Sequence, residues 1–187
     1  MIIPVAGFDP AFANWGIAEG KLDLNTGIFD NVDLSIVQTK KGKNKQVRTN
    51  SDDMQRAEDI SEQAFQVGTR NKVIFVECPV GSQNASGMKA YGVSVGVLGA
   101  LRSQGVQVIE VTAYEVKKAL TGNKNASKEL MIKTAMELYP EANWPIRGGE
   151  VIAGKAEHMA DAIGAIHAGV ATPAFQQLMT LLQKVQS

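Results

Sequence analysis

The sequence contains one cysteine, Cys78, which excludes an intrachain disulfide; with no CxxC pair it also offers no cysteine-built zinc site, and a reducing compartment fits. It has no net charge. Across 187 residues, 19 Lys and Arg balance 19 Asp and Glu, so no whole-chain field marks a polyanion binder and any electrostatic footprint has to be local. The amino-terminal MIIPVAGFDP lacks a basic region followed by a long apolar run, so no secretory signal is expected and the chain is expected in the cytoplasm, the host's if its source is viral. The stretch from Ala162 to Gln183 carries no Asp, Glu, Lys or Arg, but His167, Pro173 and Gln176-Gln177 interrupt it. It predicts two helices meeting near Pro173 rather than a membrane span. There is no internal repeat and no low-complexity linker.

What is present is ordinary globular composition, 44% apolar and 20% charged, in a length that suits one domain over 1–187 at roughly 150 residues per domain. Ile2 to Phe8 and the run resuming at Trp15-Gly-Ile-Ala predict a hairpin, and Gly27 to Val37 predicts a third strand with Ile28, Val32, Leu34, Ile36 and Val37. From Ser51, Met54, Ala57, Ile60, Ala64 and Val67 recur at helical steps and predict one apolar stripe. Val73 to Glu77 reads as a strand buried on both faces. Residues 88–102 are two-sided: Val93, Val95 and Val97 alternate as in a strand, whereas Gly92, Gly96 and Gly99 form the small face of a helix. Length, and a following strand over Val106 to Val111, favour helix. Each glycine costs about 1 kcal/mol there, so close backbone packing is expected in return, on the sheet or across a dimer interface. Ala113 to Leu120, Ser127 to Leu138 and Glu157 to Val170 predict further helices; an extra C-terminal helix over about 172–186, capped by Thr172, buries Phe175, Leu178, Met179, Leu182 and Val185.

Asp9 and Glu77 share a context, each closing an apolar strand. On neighbouring strands they would stand about 5 Å apart, close enough to share divalent cations. His158 and Asp161 are three apart and share a helix face. Such a cluster can hold two metal ions roughly 3.5–4 Å apart, which activate water and stabilise a leaving oxygen in phosphodiester hydrolysis. Singly, each residue has a plainer role: Asp before Pro as a turn residue, His158 and Asp161 as solvated helix residues, His167 as a packed or surface histidine. Glu77 is harder to assign so, because a charged strand end inside a sheet is uncommon unless exposed or liganded. Lys117, Lys118, Lys124, Lys128 and Lys133 outnumber Glu115 and Glu129, giving either a local basic patch or a solvated helix face. Lys40, Lys41, Lys43, Lys45 and Arg48 form a second basic cluster, expected in a loop.

Taken in order, Gly7-Phe-Asp9-Pro with Gly16-Ile-Ala, Val76-Glu77 with Gln83-Asn84, Tyr114-Glu-Val-Lys117 with Gly122 and Lys128, and His158-Met-Ala-Asp161-Ala resemble the RuvC-type Holliday-junction resolvases over about residues 3–170. The resemblance implies an α/β chain of the RNase H-like fold, a five-stranded mixed sheet flanked by helices. It places Asp9, Glu77, His158 and Asp161 at the catalytic, metal-binding positions for two Mg²⁺, with Mn²⁺ as substitute; His158 is similar to the branch that uses histidine where others use aspartate. It assigns Lys117 and Lys128 to phosphate contact, within a candidate DNA-binding set of Lys117, Lys118, Lys124, Lys128 and Asn84. One departure stands out: an aromatic that wedges into the junction in familiar members is replaced by Val80.

The expected activity is therefore a structure-selective, Mg²⁺-dependent endonuclease of DNA recombination and repair, cutting four-way junctions and related branched DNA in paired incisions as a homodimer. The rivals are another RNase H-fold nuclease acting on RNA–DNA hybrids, and a branched-DNA-binding module without turnover. An actin-like ATPase is disfavoured, since those folds pair two such domains and no Gly-rich phosphate loop follows.

Overall fold

The computed structural model describes residues 1–42 and 48–186, with only the backbone of 182–186. Its elements in chain order are β1 (Ile2–Asp9), β2 (Asn14–Asp23), β3 (Phe29–Gln38), α1 (Thr49–Arg70), β4 (Val73–Glu77), α2 (Ala85–Ser103), β5 (Val108–Val111), α3 (Ala113–Thr121), α4 (Lys128–Leu138), β6 (Ile146–Arg147), β7 (Glu150–Val151), α5 (Ala153–Val170) and α6 (Pro173–Gln186). The main sheet runs β3-β2-β1-β4-β5: the β1–β2 and β2–β3 pairs are antiparallel, the β1–β4 and β4–β5 pairs parallel. This is the expected five-stranded mixed sheet.

Because side chains alternate along a strand, each buried strand feeds two cores. Ala6 and Phe8 of β1 and Ile74 and Val76 of β4 meet Ile60, Ala64 and Val67 of α1 and Val97, Leu98 and Leu101 of α2. Val5 of β1 and Val73 and Phe75 of β4 face the other way, onto Ile163 and Ile166 of α5, Val116 of α3, Met131 of α4 and Phe175 of α6. Each large apolar side chain removed from water contributes about 1.5–3 kcal/mol, and the Phe75–Phe175 edge contact, centroids 5.2 Å apart, fastens α6 to the sheet.

Two glycines set how closely α5 lies on that sheet. A Cβ at Gly7 would collide with the Ala162 carbonyl oxygen, and one at Gly16 with the carbonyl of His158. Backbone-to-backbone packing is thus found where β1 and β2 meet α5. The close packing expected of Gly92, Gly96 and Gly99 on the sheet does not occur: all three are exposed, and a Cβ on any of them would meet nothing within 4 Å. The α2 face that packs inward is Ser94, Val97, Leu98 and Leu101.

Other expectations are corrected in detail. Met54 is 70% exposed, because the inward positions at that end of α1 are Asp53 and Arg56, the latter lying over the Phe12 ring, and Ile28 sits exposed in the β2–β3 turn beside Gly27, whose φ is 73°. α5 starts at Ala153, before Glu157. The β6–β7 hairpin has no counterpart in the sequence reading; its turn is Gly148-Gly149, with φ of 62° and 84°, the paired positive values that a tight hairpin turn requires. Pro173 does open α6, where the Phe175 N–H donates to Thr172 Oγ1 at 3.3 Å. Among the described residues, no helix is long and apolar enough to cross a membrane. Lys43 and Lys45 of the second basic cluster, and the side chains of Leu182 and Val185, lie outside the described residues; Lys40, Lys41 and Arg48 are exposed.

Candidate active site

The alternation that builds the two cores also aims the carboxylates. Gly7 faces α5, so Asp9, two residues on, points to the same side; Phe75 faces α5, so Glu77 follows it. Strands β1 and β4 are neighbours with Phe8 opposite Val76, so Asp9 and Glu77 leave the sheet side by side, one step further on. On α5, His158 and Asp161 lie one turn apart. The helix can descend to them because Gly16, the register partner of Asp9, has no side chain to hold His158 away.

The four side chains are half-buried and form one electrostatic unit. His158 Nδ1 lies 2.6 Å from Asp9 Oδ2, a hydrogen bond, and His158 Nε2 lies 3.6 Å from Glu157 Oε1. Burial pushes the Glu77 carboxyl up to about 8, with the charges of Asp9 and Asp161 adding to the shift and Lys117 opposing it. Burial likewise raises Asp161 to about 7, with Asp9 adding to the shift while His158 and Lys117 oppose it. Burial pulls the His158 imidazole down, but the Asp9 hydrogen bond and the surrounding negative charge outweigh that and leave it above its ordinary value. The site therefore holds more negative charge than its solvation supports, a condition relieved by taking up protons or cations.

That donor set suits hard divalent cations, which prefer carboxylate oxygen. Among the described residues, however, no three His, Cys, Asp or Glu side chains converge as a closed metal-binding group. Asp9 Oδ2 is engaged by His158, and a cation drawing on that oxygen would displace the hydrogen bond.

Around the cluster, Lys117 is half-buried and its charge reaches both Glu77 and Asp161. Lys128 is ion-paired with Glu157 at 2.6 Å, so it stands at the rim of the site already holding an anion. Lys118 and Lys124 are exposed, and Lys133 pairs with Glu137 at 3.8 Å on its own helix. Asn84 is the N-cap of α2: its side-chain oxygen accepts from the Gly87 N–H at 2.8 Å and its amide donates to Ser82 Oγ at 3.1 Å. His167 belongs to the packing, bonded to the Tyr139 hydroxyl at 2.6 Å, with burial lowering its pKa. Glu157 is the site residue that the sequence reading missed. Its signal was its place four residues before Asp161, on the same helix face.

No protein-family model and no curated protein matches the sequence. Among solved structures, the chain is similar to Thermus thermophilus RuvC in complex with a Holliday junction substrate, with a TM-score of 0.63 and 20% identity over 94% of this chain and 96% of that one. A second structure of Thermus thermophilus RuvC matches with a TM-score of 0.62 and 21% identity, covering 95% and 97% of the two chains. Over nearly its whole length, this chain has the RNase H-like fold of RuvC.

Proposed function

We propose that this chain is a divalent-metal-dependent, structure-selective endonuclease that cuts branched DNA, four-way junctions first among them. The observation that carries this is the convergence of Asp9 and Glu77, at the ends of the adjacent strands β1 and β4, with His158, hydrogen-bonded to Asp9, and Asp161 one turn along α5. Asp9, Glu77 and Asp161 would hold two Mg²⁺, or Mn²⁺, and His158 would ligate or position the attacking water. Bound cations would supply an activated water and charge neutralisation at the leaving 3′-oxygen. The lysines bring the phosphodiester to the cluster: Lys117 lies at the carboxylates, and Lys128 can exchange the Glu157 carboxylate for a phosphate, one anion for another. Lys118 and Lys124 extend the cationic surface. Asn84, engaged in capping, orders the loop that follows Glu77 and would meet DNA through that loop.

Paired incisions call for two active sites, and a homodimer with two-fold symmetry supplies them. The outward face of α2, carrying Gly92, Val95, Gly96 and Gly99, is exposed and free of projecting bulk at its three glycines, which supports it as the face where a second copy packs.

The test is cleavage of four-way, three-way and linear duplex DNA and of an RNA–DNA hybrid, each with Mg²⁺ and with Ca²⁺. The proposal expects Mg²⁺-dependent cutting of the branched substrates, fastest for the four-way junction, with Ca²⁺ supporting binding alone. Preferential cutting of the hybrid would replace the junction reading with the RNA–DNA one, and junction binding without cutting under Mg²⁺ or Mn²⁺ would replace it with a non-catalytic module.

A further inference from the structure

The ion pair between Lys128 and Glu157 joins two side chains in unlike surroundings: that of Lys128 is 72% exposed, that of Glu157 only 19%. Parting costs the lysine little, because water and salt screen an exposed ammonium. The carboxylate loses more. It lies four residues before Asp161 on α5, where like charges on one helix face repel, and its charge helps to raise the Asp161 carboxyl. Its two oxygens face different ways. Oε2 lies 2.6 Å from Lys128 Nζ, while Oε1 lies 3.6 Å from His158 Nε2, on the side of the cluster. The Lys128 charge is felt in turn by Asp161 and Asp9, so this one ammonium acts as counterion to the group as well as to Glu157.

In the free chain the donors are thus held by internal partners. Asp9 Oδ2 is bonded to His158 and Glu157 Oε2 to Lys128, and among the described residues no three acidic, histidine or cysteine side chains converge as a closed metal-binding group. A phosphate that draws Lys128 away leaves a half-buried carboxylate beside Asp161 without its counterion. A divalent cation, which prefers carboxylate oxygen, relieves that charge.

We infer that Lys128 is a tethered stand-in for a divalent cation at Glu157: a DNA phosphate takes the lysine, the freed carboxylate joins the metal ligands, and DNA and metal bind cooperatively through this exchange. The inference rests on the metal-dependent nuclease reading above and adds to it a fifth ligand, Glu157, outside the four positions that the family resemblance assigns. Such coupling is reciprocal: the factor by which the metal raises DNA affinity equals the factor by which DNA raises metal affinity.

The experiment titrates Ca²⁺ calorimetrically into the protein alone and into its complex with a four-way junction, for wild type, Glu157→Gln and Lys128→Ala. Junction affinity is measured in parallel by fluorescence anisotropy, in chelator and in saturating Ca²⁺. Wild type should bind Ca²⁺ about fivefold or more tighter on the junction than alone. Glu157→Gln should lose about fivefold or more in Ca²⁺ affinity on the junction, yet stay within about twofold of wild type without DNA, so that the coupling falls in both measurements. Lys128→Ala should gain Ca²⁺ affinity without DNA, and its coupling should fall as well. Equal losses in Glu157→Gln with and without DNA would make Glu157 a standing ligand, and no loss would leave it a surface partner of Lys128; either result overturns the inference, as does wild-type coupling in Lys128→Ala or none in wild type. Wild-type protein that binds no junction, or no Ca²⁺ in either state, would overturn the nuclease reading itself, and that result appears before any variant is compared.

Discussion

Replacing Glu77 with glutamine should make the metal-free protein more stable at alkaline pH while abolishing its chemistry. In the folded chain the Glu77 carboxyl titrates at about 8, against 4.5 without the fold. At 1.36 kcal/mol per pKa unit, ionising it in place costs about 5 kcal/mol, and solvent at the half-buried site reduces this to on the order of 2–4 kcal/mol. Asp161, raised to about 7, shares the same repulsion, so its cost does not simply add. The sign follows from the proton count. Below about pH 4.5 the group is protonated in both states; between 4.5 and 8 unfolding releases its proton, so stability falls as pH rises, and above 8 the fall levels off. Urea unfolding of chelator-treated protein from pH 5 to 9 should therefore show wild type weakening with rising pH and Glu77→Gln weakening far less, the variant being the more stable above pH 8. Saturating Mg²⁺ should restore wild type preferentially, by about 2.7 kcal/mol at a hundred times its dissociation constant. A wild-type stability that is flat or rises over this range, or a Glu77→Gln protein that is the weaker of the two at pH 9, would refute the reasoning.

In single-turnover cleavage from pH 5.5 to 9, His158→Ala should lose most cutting and His158→Asp should keep a substantial part, with wild-type activity falling on the acid side as the imidazole protonates; a wild-type rate for His158→Ala would make it a bystander. Lys117→Ala should flatten the slope of log affinity against log salt by about 0.9, one phosphate contact, whereas Glu157→Gln, which frees Lys128 from its ion pair, should raise DNA affinity; an unchanged affinity in Glu157→Gln would mean that Lys128 does not reach phosphate. Gly7→Ala should fail to fold normally, its Cβ meeting the Ala162 carbonyl, while Gly96→Ala should gain about 1 kcal/mol in α2 yet weaken the dimer by light scattering; a folded Gly7→Ala protein with an undisturbed site would contradict the close packing of α5.

The sequence was most readable where one physical pattern acts alone. Val73–Val76 is a run of apolar residues between Lys72 and Glu77, and β4 spans Val73–Glu77 as expected. The pairing of Asp9 with Glu77 at adjacent strand ends follows from two such strands being neighbours. Met54 lies at the edge of the apolar stripe, and at that end of α1 the inward positions go to the charged Asp53 and Arg56, which apolar periodicity does not foresee. The glycines of α2 leave two surfaces open, and the structure removes the sheet: a missing side chain shows that bulk is unnecessary, and does not say which surface approaches. α5 begins early without a side-chain cap at Ile152, so no start signal preceded Glu157. The β6–β7 strands are two residues each, too short for alternation to appear. The Lys128–Glu157 pair joins separate helices, and local spacing does not foresee such a contact.

The most direct test of the account is the mapping of incisions on an end-labelled four-way junction cut by wild type and by Asp9→Asn at saturating Mg²⁺. The account predicts two symmetric nicks in opposite strands near the branch, bearing 5′-phosphates, and an Asp9→Asn protein that binds the junction yet leaves it uncut. Wild-type cutting by Asp9→Asn, or scattered cleavage indifferent to the branch, would contradict it.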